Sequence, residues 1–155
     1  MKRSEMKRSF FTFAVLLACA CSVRAAGDEI VLESRDAAVT GDARYMASTD
    51  DVGYWRNTNV VVSWIANVER AGAYRVMITI ACDRGSAGAS FDVRVGSQKA
   101  NGVSSDTGGW EKYKEIDLGP VILRRPGKIP VEVQLTRHYG NGMNVRKIRL
   151  VREDG

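Results

Sequence analysis

The chain has 155 residues, long enough for one domain with its own apolar core. Five of its 23 basic and one of its 18 acidic residues fall in the first 25, so the remainder carries a net charge of only +1. That balance excludes the strong overall basicity of a nucleic-acid binder, and the chain as a whole does not read as a partner for an anionic membrane.

The first segment reads as a leader. Lys2, Arg3, Lys7 and Arg8 precede an apolar run over Phe10–Val23, and Val23-Arg24-Ala25 offers small residues for cleavage after Ala25. This is the order of a secretory signal peptide, and the apolar run is short for a membrane span. Residues 1–25 are therefore expected to be removed, leaving a single domain over 26–155 in a secreted or periplasmic bacterial protein. An alternative is lipidation: Leu16-Leu17-Ala18-Cys19 resembles a bacterial lipobox, which would anchor the chain at Cys19. Cys19 and Cys21 lie in the leader, so Cys82 is left alone, without an intrachain disulfide partner and suited to a small buried apolar role.

Beyond Gly27 the chain alternates. Glu29–Glu33 reads as a first strand, with a brief second one around Arg44–Ala47. Val52–Asn59 is a turn-rich loop displaying Tyr54, Trp55 and Arg56. In Val60–Val68, residues Val60, Val62, Trp64, Ala66 and Val68 share one face. Tyr74–Cys82 repeats the pattern with Tyr74, Val76, Ile78 and Ile80. Ser90–Val95 and Gln98–Val103 form a hairpin about Gly96-Ser97. Trp110–Leu118 and Val121–Leu123 read as strands separated by Gly119-Pro120. Arg124–Lys128 is a solvated Pro-Gly turn. Ile129–Arg137 and Asn144–Arg152 complete the series. No stretch sustains helical periodicity. Short strands joined by Gly, Pro, Asn and Asp turns predict an all-β, antiparallel β-sandwich.

Catalytic constellations are absent from the sequence. There is no Gly-x-Ser-x-Gly elbow, and His138 with Cys82 cannot supply the three or four nitrogen and sulfur ligands of zinc. His138, in a loop beside Tyr139, is expected to be an exposed polar side chain. The chain is expected not to be an enzyme, although its many carboxylates leave a glycan-processing activity as a lesser alternative. Binding chemistry is better represented. Aromatic faces suit the C–H patches of a sugar ring, and amides and guanidiniums suit its hydroxyls. Three loops offer such groups: Tyr54-Trp55-Arg56, Thr107-Gly108-Gly109-Trp110, and His138–Asn144. Loops at one end of a sandwich can converge. Tyr54 and Trp55 are neighbours, so one is expected to enter the core while the other faces out.

Val52-Gly53-Tyr54 before an alternating strand, Ala71–Val76 opening the next, Thr107-Gly108-Gly109-Trp110, and Asn144 leading the last strand together resemble the family 6 and family 35 carbohydrate-binding modules. They are similar above all to the sugar-binding domains appended to secreted fucosidases and sulfatases. The resemblance spans about Ile30 to Arg152. It implies a galactose-binding-like jelly roll holding a poly- or oligosaccharide, with Tyr54 and Trp110 sandwiching a sugar and Asn144 bonding its hydroxyls. It also implies a structural calcium, for which Glu33 remains as a ligand, but Val31 and Arg146 stand where further oxygen ligands would be expected, so no cofactor or metal is expected. Arg146 is expected to neutralise a carboxylate instead. Thr58-Asn59-Val60 likewise replaces the family's Gly-Asp-Trp. The alternative is a structural or adhesive cell-surface module with a degenerate sugar site.

Overall fold

The computed structural model describes residues 28–153; the leader read at 1–25 lies outside them. Eleven strands form two antiparallel sheets: β1 (Glu29–Glu33), β2 (Ala38–Val39), β3 (Arg44–Met46), β4 (Asp51–Gly53), β5 (Val61–Val68), β6 (Gly72–Cys82), β7 (Ser90–Val95), β8 (Gln98–Val103), β9 (Gly109–Leu123), β10 (Gly127–Arg137) and β11 (Asn144–Arg152). One sheet runs β3-β4-β11-β6-β9, with β1 also paired to β11; the other runs β2-β5-β10-β7-β8. This is the predicted antiparallel β-sandwich.

The alternating faces meet between the sheets. Tyr74, Val76, Ile78, Ile80, Ile148 and Leu150 come from the first sheet; Val62, Trp64, Phe91, Val93, Val133 and Leu135 come from the second. Burying side chains of this size supplies about 1.5–3 kcal/mol each before entropy is counted. Trp64 also donates its indole N–H to the Glu33 carbonyl at 2.8 Å, linking β5 to β1 of the opposite sheet. Cys82 is buried as expected, and burial raises its thiol pKa.

Two prolines fall inside strands. Gly119-Pro120 does not end a strand as predicted. β9 continues through it as an edge strand, with one extra residue bulged between Asp117 and Pro120 against β6. An edge strand tolerates a proline because one side of its backbone has no ladder to break. Pro130 lies in the central strand β10. Its carbonyl accepts the Gly96 N–H at 2.9 Å, so its missing N–H faces the β7–β8 turn, where the ladder has already ended.

Strand directions set the layout of the ends. The starts of β9 and β11 and the end of β6 lie together, because Cys82 pairs with Gly109 and Ala81 with Asn144. The opposite end gathers Gly72 with Leu123, Val68 with Gly127, and Glu29 with Val151.

Candidate functional site

The chain between Asp51 and Arg56 positions the first aromatic. The predicted loop begins as a strand: β4 sits between β3 and β11, and Asp51, Val52 and Gly53 are all buried. Tyr54 then adopts φ 65°, the left-handed region. This turn sends Tyr54 outward, 39% exposed, and Trp55 into the core at 0%. The Trp55 indole N–H donates to the Val52 carbonyl at 2.9 Å. The two side chains diverge as expected, but through a left-handed turn instead of an extended backbone.

Trp110 is positioned by a bulge. Ala81 pairs with Tyr113 and Cys82 with Gly109, so Trp110, Glu111 and Lys112 are extra residues on β9. Such irregularities re-aim side chains out of the pleat. Thr107 fixes the preceding loop: its hydroxyl donates to the Cys82 carbonyl at 3.0 Å and accepts the Cys82 N–H at 2.8 Å. Trp110 is left half-buried at the mouth of the sandwich.

Asn144 comes from the third loop. The Asn141 N–H bonds the Ser86 hydroxyl at 3.0 Å, and Gly142 turns back with φ +73°. A Cβ at Gly142 would lie 2.8 Å from the Trp55 Cβ, so glycine is required there both for conformation and for space. The Asn144 amide donates to Asp51 Oδ2 at 3.1 Å. A Cβ on Gly53 would lie 2.8 Å from Asn144 Oδ1, so that glycine lets the amide settle against β4. His138 departs from expectation. It is half-buried, and its Nε2 is buried without a partner among the described residues.

These three elements bring Tyr54, Trp110 and Asn144 to one open cleft of about 380 Å³, whose wall also includes Met46, Thr49, Arg56, Glu111 and Asn141. That volume falls within the roughly 300–1,000 Å³ of small-molecule sites. The Arg44 guanidinium lies 4.0 Å from the Tyr54 ring centroid, in cation–π contact. Arg56 lies 5.8 Å from the same ring centroid. Arg56 and Glu111 are both exposed and form no ion pair among the described residues, so the rim offers one cation and one carboxylate.

Below the cleft lies a polar network that sequence reasoning missed. Asp51 is fully buried. Its carboxylate accepts bonds from the Thr49 hydroxyl (2.9 Å), the Asn144 amide and the Tyr113 hydroxyl. Burial first, and then the bond to Asp51, push the Tyr113 pKa up to about 12. Arg146 is the bulged residue of β11, between Val145 and Lys147. It does not pair with a carboxylate as expected. Its guanidinium lies 3.4 Å over the Tyr113 ring and donates to the Thr49 carbonyl at 2.8 Å. The calcium that the resemblance implies does not fit these residues. Val31 has no side-chain oxygen and is exposed, a guanidinium occupies position 146, and among the described residues no group of three His, Cys, Asp or Glu is placed to hold a metal.

The fold is that of the family 35 and family 6 carbohydrate-binding modules. A family 35 module from Clostridium thermocellum superposes with a TM-score of 0.62 at 18% identity, covering 81% of this chain and 98% of that one. The family 6 module CBM6cm-2 of Cellvibrio mixtus lichenase 5A, solved with cellotriose, gives 0.63 at 19%, covering 80% and 97%. The GH26-CBM35 β-(1,4)-mannanase of Podospora anserina gives 0.65 at 14%, covering 84% of this chain and 29% of the enzyme. No protein-family model matches the sequence, and no curated protein matches it.

Proposed function

We propose that the chain is an exported, non-catalytic carbohydrate-binding module that holds a poly- or oligosaccharide in the Tyr54–Trp110 cleft. The observation that carries this reading is the meeting of two aromatics and a buried amide, from three sequence-distant loops, at one cleft of a fold shared with sugar-binding modules. Tyr54 offers its exposed ring and Trp110 its indole to the C–H patches of a sugar. Asn144, held by Asp51, directs its amide to hydroxyls. Arg56 and Glu111 add a donor and an acceptor at the rim. No metal enters the scheme, because the donor set at Val31 and Arg146 is wrong for one. The leader-like segment supports export, with removal of residues 1–25 or anchoring at Cys19 as its two routes.

A glycan-binding screen on the exported chain tests the reading. Trp110→Ala and Tyr54→Ala are each expected to lower affinity by roughly 10–100-fold, since aromatic anchors carry most of the energy in such sites. Affinity unchanged in both variants would move the site elsewhere. No glycan bound by the unmodified chain would favour the adhesive alternative.

A further inference from the structure

The end of the sandwich opposite the cleft is basic. The β9–β10 turn and the start of β10 carry Arg124, Arg125 and Lys128, all exposed and without an ion pair among the described residues. Beside it, on the β5–β6 turn, Arg70 follows the exposed Glu69 and shares the carboxylate of Asp28 with Arg152, at 3.4 and 3.9 Å, while Glu153 is paired with Arg75. The arginine pair lines a groove of about 240 Å³ with Ile122, Gln98, Ser97 and Ile129. Ile122 is 55% exposed at its edge. The near-zero net charge of residues 26–155 conceals this concentration of cations at one end.

Chain direction adds a second observation. Asp28, where the chain enters the sandwich, lies at this basic end, with its carbonyl accepting the Arg152 N–H at 2.7 Å. Asn144, in the cleft, is at the far end of β11, about 26 Å away at 3.3 Å per residue. Only eight residues separate Asp28 from Cys19 of the lipobox-like segment, a reach of roughly 30 Å fully extended. A lipid at Cys19 would thus hold the basic end, and not the cleft, within reach of a bilayer.

We propose that the Arg124–Lys128 turn, with Arg70 and Ile122, docks on an anionic lipid surface and turns the cleft away from it. Guanidiniums and the ammonium meet lipid phosphates, and Ile122 enters the headgroup layer. This holds for a lipidated or a freely exported chain, and it is independent of what the cleft binds.

The test uses the exported chain carrying Cys19→Ser, so that no lipid anchor contributes. Co-sedimentation is measured with phosphatidylcholine vesicles, with and without phosphatidylglycerol. Binding is expected only to the anionic vesicles, weakening as salt rises to about 0.15 M. Replacing Arg124, Arg125 and Lys128 by Gln is expected to weaken it on the order of a hundredfold, about fivefold per cation. Trp110→Ala should leave it unchanged. The exposed turn makes a folding defect in the Gln variant easy to exclude by thermal melting, and the salt series on the parent chain needs no substitution there. Equal binding to neutral vesicles, no binding at low salt, or an unaffected Gln variant would each overturn the proposal.

Discussion

Tyr54 occupies a backbone region that L side chains rarely adopt, φ 65°, between a buried strand and a buried tryptophan. A side chain there costs on the order of 1 kcal/mol, and such strain tends to sit where function needs it. The cost separates two substitutions usually treated alike. Tyr54→Ala keeps the strained Cβ and loses the ring; Tyr54→Gly loses both. Both should lose glycan affinity, but in urea unfolding the Gly variant should be more stable than the Ala variant by about 1 kcal/mol, because the left-handed penalty disappears. The reverse order would mean that Tyr54 is not strained in solution. That one of Tyr54 and Trp55 faces out and the other in was legible, since neighbouring residues diverge; the choice of Tyr54 as the outward one rested on the resemblance. The left-handed turn that produces the divergence was not, because neither Tyr nor Trp signals positive φ.

At the scale of strands, period-2 alternation made β5, β6, β7 and β11 legible, and their predicted inward residues are buried. What alternation could not show was its own interruption. The three extra residues Trp110–Lys112 follow Gly108-Gly109, which reads as a loop and does not announce a bulge inside a strand, and the bulged Arg146 breaks the pleat with no glycine or proline beside it. β4 escaped because three residues are too few to alternate. With it went Asp51, whose burial depends on β3, β11 and Tyr113 closing around it. Tyr113 is the member of that network most open to test. Its pKa is raised from 10 to about 12, so the folded state holds the phenol proton more tightly than the unfolded one. The resulting stability is fully present below pH 10 and is lost as pH rises through 12. Tyr113→Phe should lower stability at neutral pH by about 1–2 kcal/mol, since Asp51 loses one of three donors. The difference between parent and variant should shrink between pH 10 and 12, followed by chemical denaturation at each pH. A difference independent of pH would remove the phenol from the network.

At the scale of the whole molecule, polar ties act both across the two sheets and along one of them. The Trp64 indole bonds across from one sheet to the other, while within the first sheet Arg149 ties Glu29 of β1 to Glu115 of β9 and Arg146 caps the Tyr113 ring. Where the resemblance implies a divalent cation, this chain places a guanidinium, which brings its own charge and needs no carboxylate cage. Calcium should therefore have nothing to stabilise. A site occupied at 100 times its dissociation constant would add about 2.7 kcal/mol to unfolding, which for a domain of this size moves the melting temperature by roughly 10 °C. Thermal melts in excess calcium and in excess chelator should instead coincide. A calcium-dependent rise of that order, with one calcium per chain by elemental analysis, would show that oxygen ligands elsewhere assemble a site despite Arg146. Coincident melts would leave the sandwich standing on its apolar core and its arginines alone.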